Sequence, residues 1–180
     1  MQFGKGILPA KEYLSNGLFS IQNCYSEAES SFNRQLHFHD FYELSLIYEG
    51  SSRFLINGSS FVAAAGSLQL IRPSDYHRQM TDTGEYIRYY NLIFRQEVLS
   101  NVLSDALEEA VEPFCFQMQE KEMQKMTQLL LELKREQEEK EAFWEKMSAD
   151  LIEKICILIL RKSPKKRQAK EEEIPEAVRR

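Results

Sequence analysis

The chain has 180 residues, enough for one domain with an appendage and for a sizeable buried core. Hydrophobic residues make up 43% and charged residues 28%, which excludes a fibrous or intrinsically disordered chain. The net charge of -5 argues against the chain as a whole binding nucleic acid, a task that calls for a basic surface.

The N-terminal MQFGKGILPAKEYL has no apolar stretch long enough for a secretory signal. Cys24, Cys115 and Cys156 are odd in number, far apart and form no CxxC pair. They read as reduced thiols and not as a disulfide framework or a zinc cluster. The longest aliphatic run, Ile155 to Leu160, is far too short to span a bilayer, so the expected location is the cytoplasm.

The most informative stretch is His37-Phe38-His39-Asp40-Phe41-Tyr42-Glu43, followed seven residues later by Gly50. On a β-strand, residues 37, 39 and 43 project from one side. Two imidazoles and a carboxylate on one face are a three-point site for a divalent metal. His77 follows a stretch from Gly66 to Pro73 that could return it to the same place. These four groups either hold a metal or line a pocket, since ligand types alone do not establish geometry.

Tyr42–Tyr48 is a continuous β-prone run closed by Glu49-Gly50. Arg53–Ile56, Asn57-Gly58 and Phe61-Val62 then form a hairpin pattern, because Asn and Gly tolerate the positive φ of a type I′ turn. Arg53 is read as an exposed hairpin arginine in preference to a partner for an anion. Ser67–Ile71 is a further strand, and Glu85–Phe94 a long aromatic-rich one. On that last strand Tyr89, Asn91 and Ile93 share a face. Short strands at this spacing predict an all-β barrel or sandwich.

Near residue 112 the sequence changes character. All seven glycines precede it, and Glu, Lys, Gln, Leu and Met dominate after it, which marks a change from strands to helices. Met123, Met126, Leu130 and Leu133 recur at helical spacing. A second helix carries Phe143, Met147, Leu151, Ile155 and Leu158 or Ile159, widened by Trp144, Ile152 and Cys156 and ended by Ser163-Pro164. This stripe could pack on the chain's own barrel or form a helix–helix dimer seam. The basic tail Arg161–Lys170 reads as a solvated linker.

The pattern HxH-x3-E-x6-G of His37, His39, Glu43 and Gly50 resembles the first conserved motif of the cupin superfamily. Gly66, Pro73 and His77 resemble the second, with Arg72 and Ser74 as departures, and Ser31 stands where the first motif commonly opens on glycine. Over the whole chain, His-x-His-Asp-Phe-Tyr-Glu-Leu, Tyr-Glu-Gly, Ile-Asn-Gly and Ile-Arg-Pro-Ser-Asp-Tyr-His resemble the N-terminal effector domain of AraC-family transcription regulators.

The resemblance implies a mainly β fold with an α appendage: a double-stranded β-helix (cupin) barrel followed by two C-terminal helices. It divides the chain into an effector-binding barrel with an N-terminal arm over 1–112, a helical dimerisation segment over 113–162, and a linker over 163–180. That linker would lead to a helix-turn-helix DNA-binding domain outside this sequence. His37, His39, Glu43, His77, Tyr89 and Asn91 are the candidate ligand-binding residues. The first four are also candidate ligands for Zn, Ni, Mn or Fe.

The expected partners are a small effector, such as a sugar or other small polar metabolite, and a second copy of the chain through the C-terminal helices. DNA would be reached only through the absent domain, and no membrane is involved. No nucleophile–base arrangement of Ser, Cys and His is apparent, so hydrolase chemistry has little support, and the resemblance implies a non-enzymatic sensor. The alternative is a metal-dependent cupin enzyme, a dioxygenase or isomerase.

Overall fold

The computed structural model describes residues 8–14, 17–28, 35–73 and 75–163. Ser31, Ser74 and the expected linker beyond Ser163 lie outside the described residues. A short helix α1 (Ala10–Leu14) precedes strands β1 (Phe19–Glu27), β2 (Tyr42–Ile56), β3 (Ser59–Ala64), β4 (Ser67–Ile71), β5 (His77–Met80) and β6 (Tyr86–Phe94). Helix α2 (Asn101–Glu108), strand β7 (Phe114–Gln117) and helices α3 (Glu120–Glu139) and α4 (Trp144–Lys162) complete the chain.

Every strand pairing is antiparallel, and β2 is the hub. Its first half lies in a sheet of order β1-β6-β2-β4-β7, while its second half pairs with β3 on one side and β5 on the other. The two apolar runs on either side of Gly50 are therefore one 15-residue strand. The register against β6 slips between Ile47 and Glu49, leaving Tyr48 as an extra, bulged residue.

One inserted residue exchanges the faces of everything after it. Before the bulge the odd residues Phe41, Glu43 and Ser45 face a cavity, and Tyr42, Leu44 and Leu46 are buried on the opposite face. After it the even residues Ser52, Phe54 and Ile56 are buried and Arg53 is turned out to solvent, where it pairs with Asp82 at 2.7 Å. Gly50 makes the turn from sheet to sheet possible. Its φ is +78°, and a Cβ there would stand 1.8 Å from the carbonyl oxygen of Tyr86.

The hairpin between β2 and β3 turns on Asn57 (φ 49°) and Gly58 (φ 83°), as the sequence pattern requires. The loop entering β5 is held by Arg72, whose guanidinium makes two bonds to the Asp75 carboxylate at 2.9 and 3.0 Å. The same guanidinium donates to the carbonyls of Leu107 and Ala110, and it lies over the ring of Phe114. The arginine that departs from the family pattern thus ties the β4–β5 loop to the end of α2 and to β7.

Helices α3 and α4 pack on the face of the sheet away from the cavity. Met126, Leu129, Leu130 and Leu133 of α3, with Leu151, Ile152, Ile155, Cys156 and Ile159 of α4, share one core with Leu44, Leu46, Leu68, Leu70, Leu92 and Phe94. Most of the wide apolar stripe is used within the chain. Leu131, Phe143 and Met147 remain exposed. Gln137 of α3 also closes the free edge of β1: its side-chain oxygen accepts from the Ile21 amide at 2.8 Å and its NH2 donates to the Ile21 carbonyl at 3.1 Å.

Helix α1, strands β1 and β5, helix α2 and strand β7 were not anticipated from sequence. Helix α2 is only eight residues long, and β7 is a four-residue strand beside Pro113. Because β7 pairs with β4, the sheet continues past residue 112, and the helices share its core without forming a separate unit.

Gly50 and Gly84 differ in what surrounds them. Gly84 also has positive φ (83°), but a Cβ there meets nothing within 4 Å. Gly84→Ala should cost about 1 kcal/mol from backbone conformation alone, whereas Gly50→Ala adds a backbone collision and should cost about 3 kcal/mol or more. Urea denaturation of the two variants measures the contrast, and equal losses would contradict the role given to Gly50.

Candidate functional site

The odd-numbered face of β2, the facing residues of β1, β4 and β6, and the start of β5 enclose a cavity of about 260 Å3. All six candidate ligand-binding residues, His37, His39, Glu43, His77, Tyr89 and Asn91, lie in its wall. Strand alternation explains Glu43, Tyr89 and Asn91. The two leading histidines arrive differently, because residues 37–41 are not part of the continuous strand. His37 makes an isolated bridge to His77 and His39 one to Leu8, and the chain bends at Asp40–Phe41 before β2 begins.

Asp40 has a structural task at that bend, accepting the amide of Ala10 and so docking α1 on the rim. Leu8 and Tyr13 contribute to the cavity wall, and Tyr13 packs its ring 5.6 Å from Phe41. Within the described residues, the N-terminal segment therefore closes part of the barrel mouth.

The imidazoles are oriented by the backbone. Nδ1 of His39 lies 2.7 Å from the Phe41 carbonyl, Nδ1 of His37 3.0 Å from that of Gln35, and Nδ1 of His77 a longer 3.4 Å from that of Asp75. A proton on each Nδ1 leaves Nε2 as the outward nitrogen. Nε2 of His39 is 3.1 Å and Nε2 of His77 is 3.6 Å from the same carboxylate oxygen of Glu43. His39 thus has an acceptor at both ring nitrogens.

His39, Glu43 and His77 offer ligand atoms that all lie within 4.8 Å of one another. His37 does not join that set, although its ring centroid is 4.3 Å from that of His77. The four-ligand arrangement expected from sequence is thus a group of three with His37 beside it. Burial by itself would raise the Glu43 carboxyl, but the hydrogen bonds and charge of His39 and His77 outweigh it and hold the carboxyl well below the usual carboxylate range. Burial, reinforced by the neighbouring His77, lowers His37. Burial also raises the Tyr89 phenol, helped by Cys24 and Glu43, so it stays protonated as a hydrogen-bond donor.

Sequence reasoning missed the other polar groups of the wall, among them Ser45, Gln69 and Gln79. Ser45 was legible, since it lies two residues from Glu43 on the same face. Gln69 carried a signal too: it is the one amide in the otherwise apolar run Leu68–Ile71 and is 1% exposed. Among the described residues, no lysine or arginine lines the cavity.

Glu43 makes acid sensitivity a test of this geometry. Its carboxyl is depressed in the folded state, so its stabilising effect is present above the unfolded-state value of about 4.3 and lost as pH falls through the folded value. Glu43→Gln should therefore cost about 1–3 kcal/mol at pH 7 and progressively less below about pH 4, as read from urea melts across pH. A pH-independent difference would mean that the carboxylate is not ionised against the imidazoles.

The sequence profile of the AraC-like ligand binding domain matches residues 22–155. Apo ToxT K231A from Vibrio cholerae is similar in structure over 78% of this chain and 53% of that one, with a TM-score of 0.53 at 13% identity. This chain thus spans about half of the ToxT chain. A cupin protein from Bacteroides fragilis is similar over 51% of this chain and 77% of that one, with a TM-score of 0.40 at 17% identity. No curated protein matches the sequence.

Proposed function

The chain belongs to the AraC-like ligand-binding domain family, a cupin-like barrel with trailing helices, and on that premise we propose that it is the effector-sensing and dimerisation domain of a transcription regulator. One observation carries the reading. The same strands present the cavity on one face and the packed helices α3 and α4 on the other. A ligand held against Glu43, Ser45, Tyr89 and Asn91 presses on strands whose alternate residues are the seat of the helices.

Such a ligand alters the helices only if it binds one arrangement of them better than another. In this reading His37, His39, Glu43, His77, Tyr89 and Asn91 contact a small polar metabolite. The volume of about 260 Å3 is below the roughly 300–1,000 Å3 of pockets that hold drug-sized molecules. Homodimerisation would use the outward sides of α3 and α4, where Leu131 and Met147 are exposed. DNA contact belongs to a separate domain of the regulator. No helix among the described residues is long and apolar enough to cross a membrane, which accords with a cytoplasmic site of action.

A divalent cation is a second element of the proposal. The backbone carbonyl at Nδ1 of each histidine is the orientation that metal-binding imidazoles adopt, and two imidazoles with one carboxylate suit Zn, Ni, Mn or Fe with positions left open. His39, Glu43 and His77 would hold it, with His37 alongside. When bound, it would supply a Lewis-acidic centre for a ligand hydroxyl.

Two measurements test these readings. Dialysed against a small-metabolite extract, the purified domain should retain one compound unchanged, with retention falling at least tenfold in His39→Ala and the protein sedimenting as a dimer. Steady conversion of a metabolite to a new product would instead favour a metal-dependent enzyme, and a monomer at high concentration would remove dimerisation. Elemental analysis of protein purified without a metal-affinity tag should find near-stoichiometric metal that is lost in His39→Ala. A metal-free cavity that still retains the compound would reject the cation.

A further inference from the structure

The described strands leave four sheet edges, and three of them are guarded. The edge of β1 is met by Gln137, which takes up both backbone groups of Ile21. Strand β7 is only four residues long and starts directly after Pro113. Strand β5 exchanges both backbone bonds of His77 with His37 and carries Arg78 among its four residues. Cover, shortness, proline and charge are the devices that keep a sheet from adding a further strand.

The outer edge of β3 has none of them. Its two-residue turn makes Ile56 and Ser59 a hydrogen-bonded pair, so Phe61 and Ala63 also direct their backbone groups toward β2. Ser60, Val62 and Ala64 direct theirs outward. The Ala64 amide is taken by the Ser67 hydroxyl at 3.0 Å, while nothing among the described residues bonds the backbone of Ser60 or Val62 on that side. The six residues Ser59–Ala64 include no charge, proline or glycine, and no charged residue occurs anywhere from Asn57 to Ile71. Val62 is 77% exposed, and Phe61 is only partly buried against the core around Phe54.

We infer that β3 pairs with β3 of a second copy of this chain, antiparallel about a two-fold axis at Phe61, joining the two β5-β2-β3 sheets into one sheet of six strands. The occupant is a second copy because the strand is complementary to itself. About that axis Ser60 lies opposite Val62 of the second copy and Val62 opposite its Ser60, and each pair exchanges two N–H···O bonds. The two Phe61 rings become cross-strand neighbours, which adds contact to rings that are only partly buried. A chain of net charge -5 meets its copy here without like charges opposite each other, since the segment from Asn57 to Ile71 is neutral. A contact of one short strand is small and therefore reversible. Pairing uses up the edge of both molecules, so it closes at two. This interface is separate from the helix seam of the proposed function and does not depend on the sensing reading.

Hydrogen exchange followed by NMR tests the pairing on the whole chain carrying Leu131→Glu and Met147→Glu, two exposed positions whose change removes the proposed helix seam. Between about 10 μM and about 1 mM, the Ser60 and Val62 amides should slow at least tenfold. Those of Phe61 and Ala63, bonded to β2 at every concentration, should stay as they are. Sedimentation over the same range should show monomer passing to dimer. Val62→Lys should keep the chain monomeric without lowering its melting temperature, because Val62 is exposed. The exchange measurement leaves β3 unaltered, so it decides the matter even where Val62→Lys disturbs the fold. Fast exchange of Ser60 and Val62 at every concentration overturns the inference. So does a dimer that Val62→Lys leaves intact, or an assembly that grows past two molecules. Association seen only with Leu131 and Met147 in place removes β3 pairing and leaves the helix seam standing.

Discussion

The bulge at Tyr48 and the turn at Gly50 are the constraint on which the rest of the molecule depends. A strand of 15 residues in one flat sheet would keep Glu43 and Arg53 on the same face. Inserting one residue exchanges the faces, so β2 contributes Glu43 and Ser45 to the cavity from its first half and Phe54 from its second. The cavity has walls from both halves of the barrel because a single strand runs through them. That geometry needs a backbone at φ +78° packed against the Tyr86 carbonyl, where no side chain fits. The glycine of the motif is therefore a condition for having a pocket at all, and the histidines acquire meaning only once the pocket exists.

Around that constraint the chain distributes polar groups by the needs of each location. In the β4–β5 loop the buried polar groups are partnered: Arg72 meets Asp75, the Leu107 and Ala110 carbonyls and the Phe114 ring, and the Asp75 carboxylate also accepts from Asn57. An ion pair of this kind is stable only when its remaining donors and acceptors are matched, and here they are. In the cavity wall the opposite holds. His39, Glu43 and His77 converge on a shared space, and Gln69 is unmatched. Polar groups that converge on one concave surface are what a binding site requires of a fold.

Much of this was legible in the sequence, for identifiable reasons. Asn57-Gly58 admits few turns, Ser67–Ile71 is bounded by breakers, and the spacing from Met123 to Leu133 has a helical period, so local chemistry determined those elements. Alternation put Tyr89 and Asn91 on one face of their strand, and the family resemblance turned that face inward. What was not legible depends on contacts remote in sequence. Strand β7 is four residues long and exists because the edge of β4 needs a partner. The bulge leaves no local mark in Ile47-Tyr48-Glu49. Gln69 looked like a lone polar residue in a core strand until the register set it beside Ser45 and Asn91.

The two faces of the main sheet bear on how a signal would travel. Side chains on one strand alternate between cavity and helix, so a ligand that shifts β1 or β6 by a fraction of an ångström moves both sets together. Gln137 makes this coupling specific at β1. It bonds both the N–H and the C=O of Ile21, the residue next to Gln22 of the cavity wall. Edge strands are the most easily displaced part of a sheet, yet this one is bonded through its backbone to α3. A ligand engaging Gln22 would therefore act on a strand whose free edge is already committed to a helix. What such a ligand must supply is a preference between two arrangements of that edge, since tight binding without preference transmits nothing.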